Sequence, residues 1–262
     1  MADTYWYKQT KDQPLFPDLL WSRPENKSHA GKLLIIGGNS FGFASPAEAF
    51  AAATSAGAGS VRVVLPFAVR KVTNNLMPSL EYAASTPSGS FGQQALGEFQ
   101  EHAAWADGVL FAGDLGRNSE TAILMEGFLA KYKGQVTLVN DAVDYCLNTP
   151  SPALERPDTL VVCSMPQLQK LGVLAHSEIA FTHNMDLLHL VDGLHALTKR
   201  FTAKIIIGHL DQIIVAVAGQ ISSTPHADSS NWATKVAAIA SVLWLQNPDK
   251  PLEALTSSMV SA

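Results

Sequence analysis

Short apolar runs alternate along this chain with longer stretches whose apolar residues recur at helical spacing. The runs at 33–37, 60–65, 108–112, 135–139, 159–163, 204–208 and 212–217 read as buried strands, and 46–57, 92–104, 119–132 and 186–201 read as the helices between them. Alternation of this kind implies a mainly parallel sheet with right-handed crossovers and helices on both faces, an α/β class. One pair breaks the rhythm: Ile213 to Val217, a short Ala218-Gly219-Gln220 link and Ile221-Ser222 predict a hairpin, and so an antiparallel strand at one sheet edge. A last helix over 231–246 places Trp232, Val236, Ile239, Val242 and Leu243 on one face, with Asp228, Ser229 and Ser230 as N-cap candidates.

Several of the apolar runs end in glycine. Leu33-Leu34-Ile35-Ile36 runs into Gly37-Gly38-Asn39-Ser40, Val109-Leu110-Phe111-Ala112 into Gly113-Asp114-Leu115-Gly116-Arg117, and Ile205-Ile206-Ile207 into Gly208. In a parallel sheet these turns share the carboxyl edge, where such folds bind ligands. Glycine lets backbone N–H groups approach a ligand, and a helix starting near Ser45 and Pro46 presents the positive end of its dipole there. Ordinary turn chemistry accounts for the same glycines, and neither G-x-G-x-x-G nor a Walker loop is matched.

Composition narrows the function classes. Hydrophobic residues make up 47% and charged residues 16%, which suits one large domain, 33–262, preceded by an irregular arm over 1–32 that carries Trp6, Phe16 and Trp21. A net charge of -5 and the lack of a basic aromatic stripe argue against nucleic acid and anionic membranes as partners. No apolar run suggests a signal peptide or a membrane span, so the expected location is cytoplasmic. Cys146 and Cys163 lie in apolar surroundings without C-x-x-C spacing and read as buried thiols. His183, His189 and His195 recur at intervals of six rather than i, i+4, so no metal site is expected from protein ligands, and no G-x-S-x-G elbow supports a serine nucleophile.

Beyond these readings, Lys27, Gly31 to Gly38, Ala47, Ala49, Ala51 to Ala53 and Ala56-Gly57-Ala58-Gly59-Ser60-Val61-Arg62-Val63, followed by Gly113 to Arg117 and then Asp141-Ala142 after a strand, resemble the NAD(P)H-hydrate dehydratase family of the ribokinase-like fold. The resemblance covers about residues 23–262, strongly in the first half. It implies a three-layer α/β/α architecture, a dimer or tetramer, and an enzyme that uses ADP or ATP with Mg²⁺ to phosphorylate the hydroxyl of hydrated NADH or NADPH and then expels phosphate. Gly37, Gly38, Asn39, Pro46, Gly113 and Gly116 would line the substrate pocket, and Gly208, His209, Asp211 and Asn231 would lie by the nucleotide. His209 and Asp211 would contact adenine or ribose, or serve only as turn residues.

The second half departs from the family pattern. Met165 stands where the family has a histidine, and Ile207-Gly208-His209-Leu210-Asp211 keeps one glycine of K-G-x-G-T and no lysine. At the entrance of the last helix, Asn231-Trp232-Ala233-Thr234 replaces G-G-S-G-D, so Thr234 occupies the position of the aspartate that serves as base. A threonine hydroxyl is not a base near neutral pH. Asp228 is either a substitute base or a helix cap. Lys235 either meets a phosphate or is solvated, and Asp114 either holds Mg²⁺ or caps helix 119–132. These departures imply weak or lost dehydratase activity, the alternative being a non-catalytic protein that binds nucleotides or dinucleotides.

Overall fold

The computed structural model describes residues 5–21, 24, 26–74, 79–147, 151–226 and 232–261. Its strands are β1 (Trp6–Lys8), β2 (Lys32–Gly37), β3 (Ser60–Pro66), β4 (Leu80–Ala83), β5 (Gly108–Gly113), β6 (Gln135–Val139), β7 (Thr159–Cys163), β8 (Lys204–His209), β9 (Gln212–Val217) and β10 (Gln220–Pro225). The helices are α1 (Pro17–Trp21), α2 (Ala44–Ser55), α3 (Arg70–Thr73), α4 (Leu96–Trp105), α5 (Ser119–Lys131), α6 (Asp141–Cys146), α7 (Ser151–Leu154), α8 (Met165–Leu174), α9 (Leu187–Arg200), α10 (Trp232–Gln246) and α11 (Pro251–Ser261).

All ten strands join one sheet in the order β1-β10-β9-β8-β7-β6-β5-β2-β3-β4. β9 alone runs against its neighbours, pairing antiparallel with both β8 and β10. The expected hairpin is therefore present at this end of the sheet. Outside it, β1 pairs parallel with β10, so part of the N-terminal arm becomes the edge strand. Gln9 fastens that arm inside the protein, its side-chain amide donating to Thr224 Oγ1 at 2.8 Å and to the Thr256 carbonyl at 2.7 Å.

Side chains along each strand alternate between two cores. Leu34, Ile36, Val109 and Phe111 face a layer of α4, α5, α6, α8 and α9, whereas Leu33, Ile35, Leu110 and Ala112 face α2, α10 and α11. A strand buried on both sides has no polar face, which is why these segments read as continuous apolar runs. α10 is apolar around most of its circumference because it packs against both the sheet and its neighbouring helices.

Candidate active site

Three turns interlock where β2, β5 and β6 end. The Gly38 N–H donates to the Gly113 carbonyl at 3.0 Å, and the Asn39 amide donates to the Asp114 carbonyl at 2.6 Å. A Cβ on Gly37 would lie 2.5 Å from the Gly113 carbonyl oxygen and 3.1 Å from Pro46. Gly113 adopts a φ of +106°, and a Cβ there would meet the Asn140 side chain at 2.8 Å. These glycines thus allow turn to pack on turn. Gly37, Gly38, Asn39, Pro46 and Gly113 form this packed support, and none of them lines the cleft beside it.

Asn140 is the link to the last helix. Its side-chain amide donates to the Ala112 carbonyl and to Thr234 Oγ1, both at 2.9 Å, and its own carbonyl accepts from the Gln167 amide at 2.8 Å. It holds φ 55° and ψ −134°, a conformation costly for any residue but glycine, and such strain persists where the surroundings over-determine it.

In front of these turns lies a cleft of about 460 Å³, lined by Ala44, Ser45, Glu48, Asp114, Asn140, Asp141, Ala233 and Thr234. Thr234 therefore sits in the cleft, in the first turn of α10, as a buried residue whose hydroxyl is hydrogen-bonded to Asn140. Lys235 follows it and attracts the Glu48 carboxylate electrostatically.

The three carboxylates of this cleft differ in their commitments. Asp114 Oδ2 accepts from the Ser45 N–H at 2.7 Å, so it caps α2 rather than the helix that begins at Ser119, where the Asn118 side chain is the cap. Asp141 Oδ2 accepts from the N–H groups of Leu115 at 2.9 Å and Gly116 at 3.2 Å, while its Oδ1 is buried without a partner. Burial pushes the Asp141 carboxyl up to about 6, against the downward pull of the Gly116 and Leu115 N–H groups and with smaller upward pushes from Asp114 and Asp144. Glu48 has no hydrogen bond among the described residues; burial raises its pKa and the charge of Lys235 lowers it.

The Asp141 shift has a consequence for stability. Because the folded protein holds this proton more tightly than the unfolded chain does, the associated stability is complete below pH ~4 and is lost as pH rises through about 6. D141N removes that dependence. Melts of both proteins at about pH 4 and about pH 7 check it: wild type should lose more stability between the two values than D141N does.

A larger cavity of about 1210 Å³ adjoins the cleft, and Asp141 borders both. Gly116, Arg117 and Lys170 give it polar and basic groups, while Leu174, Ile179 and Phe181 supply apolar wall. Tyr145, which also lines it, donates its hydroxyl to the Gly116 carbonyl.

Other expected site residues lie elsewhere. Met165 is buried at the start of α8 within the core. Gly208 packs against the Trp232 ring, which a Cβ would approach to 2.8 Å. His209 is buried, with Nε2 hydrogen-bonded to the Met185 carbonyl at 2.8 Å, and Asp211 sits in the β8–β9 turn, its carbonyl accepting from the His226 N–H. Asp228 and Asn231 lie outside the described residues, as do Ser229 and Ser230. The described residues hold no cluster of three or more side chains able to bind a metal ion. Cys146 and Cys163 are free thiols pushed up to about 12 by burial. No helix among the described residues is long and apolar enough to cross a membrane.

Glu48 and Asn140 are not among the residues that the sequence points to, Asp141 enters there only within the family resemblance, and Ser45 only as the start of a helix. For Glu48 the signal was present: it is the one charged residue in the helical run Ala44–Ser55. For Asn140 there was none, because its role depends on a turn conformation.

No protein-family model matches the chain. A 97-residue stretch is 36% identical to the bifunctional NAD(P)H-hydrate repair enzyme Nnr of Methanothermobacter thermautotrophicus, covering 37% of this chain and 18% of that enzyme. Among solved structures, a ribokinase-like superfamily protein from Enterococcus faecalis superposes with a TM-score of 0.74 at 15% identity, over 100% of this chain and 88% of that one. The chain has the ribokinase-like fold. Another protein with a similar structure is an ADP/ATP-dependent NAD(P)H-hydrate dehydratase from Bacillus subtilis co-crystallised with ATP and Mg²⁺, at a TM-score of 0.62 and 11% identity over 90% of this chain and 79% of that one. Within the ribokinase-like fold, the cleft stands at the carboxyl edge of the sheet, against the start of α10.

Proposed function

We propose that this chain binds an adenine nucleotide together with a hydrated nicotinamide dinucleotide and acts on the pair as an ADP- or ATP-dependent NAD(P)H-hydrate dehydratase. The observation that carries the reading is the cleft itself, in which the first turn of α10 with Ala233 and Thr234 faces the turns after β5 and β6. N–H groups at the start of a fifteen-residue helix suit the phosphate being transferred. The adjoining cavity, with Arg117 and Lys170 beside apolar wall, has the size and mixed polarity for the remainder of a dinucleotide.

Mg²⁺ generally keeps one or two carboxylates along with phosphate oxygens and water. Asp114, which lines the cleft and commits its Oδ2 to the Ser45 N–H, fits that partial role with its Oδ1, and the ion would enter on the nucleotide phosphates, whose charge it neutralises. Thr234 contributes a hydrogen-bonding hydroxyl and no proton acceptor. Loss of a positioned base costs roughly 10²–10⁴-fold in rate, so turnover at this position alone would be weak.

The test is to incubate the purified protein with NADH hydrate, Mg²⁺ and either ATP or ADP, and to follow the return of NADH absorbance. Nucleotide-dependent recovery is expected. Binding of nucleotide and hydrate without recovery would make the chain a non-catalytic binding protein on the same scaffold, and binding of neither would overturn the proposal.

A further inference from the structure

We infer that Glu48, on the helix opposite α10, is the proton-accepting carboxylate of the cleft and takes the role that Thr234 cannot fill. The inference rests on the dehydratase reading above and adds to it a residue outside the stretch where a base would be sought.

Among the described residues three carboxylates line the cleft, and two are already engaged. Asp114 spends an oxygen on the Ser45 N–H. Asp141 spends Oδ2 on two backbone donors, and its Oδ1 is closed off from solvent, so neither oxygen is open to an incoming hydroxyl. Glu48 is half-buried, accepts no hydrogen bond among the described residues, and shares the cleft wall with Thr234. It is the one charged residue of α2.

Its surroundings suit a base. Partial removal from water strengthens its hold on a proton, and the charge of Lys235 favours the ionised form. Among the described residues, the charged groups around it are Lys235 together with the carboxylates of Asp114 and Asp141.

In the step assigned to it, the Glu48 carboxylate takes the proton of the hydrate hydroxyl. That oxygen then forms a bond to the terminal phosphorus of ATP, while the bond from this phosphorus to the bridging oxygen breaks and ADP leaves with the electron pair. Phosphate subsequently departs from the ring with the C–O electron pair, and a proton lost from the adjacent carbon restores the double bond.

The experiment compares wild type, E48Q and E48D with NADH hydrate, ATP and Mg²⁺. E48Q should retain its melting temperature and its affinity for ATP, lose about 10²–10⁴-fold in kcat, and lose the acid limb of the kcat/KM profile, with E48D recovering part of the rate. Turnover by E48Q within about threefold of wild type would overturn the inference and leave the dehydratase reading standing. A second readout needs no turnover: wild type should bind NADH hydrate more tightly than NADH, because the hydroxyl donates to Glu48, and E48Q should lose that preference. Equal preference in both proteins overturns the assignment of Glu48, and a wild type that binds no hydrate overturns it together with the function proposed above.

Discussion

Replacing Gly113 with alanine is expected to cost about 2–5 kcal/mol of stability, the sum of a left-handed backbone that a side chain resists and a Cβ forced against a packed neighbour. Gly113 holds a φ of +106°, and the added carbon would stand 2.8 Å from the Asn140 side chain. Asn140 cannot retreat without giving up its hydrogen bonds to the Ala112 carbonyl and to Thr234. Damage should therefore reach the cleft as well as the fold. Chemical denaturation measures the first effect, and nucleotide affinity per folded molecule measures the second. A loss under about 0.5 kcal/mol, the range of ordinary surface substitutions, would mean that the turns are not locked together.

Phe128→Ala should cost about 3–5 kcal/mol, through lost burial and the cavity that remains. Phe128 is fully buried on α5, edge-on to Phe111 at 5.4 Å and to Phe99 at 6.1 Å, and stacked on Tyr132 at 5.1 Å. Those rings join α4, α5 and β5 on one face of the sheet, so the vacancy cannot collapse without moving a helix. Phe41→Ala provides the comparison. That ring is 94% exposed, and its removal should change stability by about 0.5 kcal/mol or less. Equal unfolding midpoints for the Phe128 and Phe41 variants would contradict this account of the core.

The central strands were legible because burial on both faces strips them of polar positions. Leu33 to Ile36 and Ile205 to Ile207 cannot be read as a half-solvated surface. The edge strands were not legible for the converse reason. Trp6–Lys8 and Leu80–Ala83 include partly exposed residues and carry too short a pattern to stand out.

The site was legible in outline only. The glycine turns were recognisable, yet much of their use is steric: Gly37 makes room for the Gly113 carbonyl, and Gly113 makes room for Asn140. Asp114 reads as a cap, but which helix it caps depends on two distant turns meeting, and it proves to be α2. Thr234 lines the cleft, and a carboxylate missing at its position points along its own helix rather than to α2. Glu48 belongs to a helix 186 positions earlier, and only the packing of α2 on α10 brings the two together.

The edge strand β1 also bears on how the chain comes to be folded. Trp6 bonds to Ser223, 217 positions away, and among the described residues β1 has no other strand beside it. A ribosome releases β1 well before β10, and this partner emerges only after β2 to β9 have been made. Until then β1 must wait, and the flank of β10 is sealed late, by a segment made long before it.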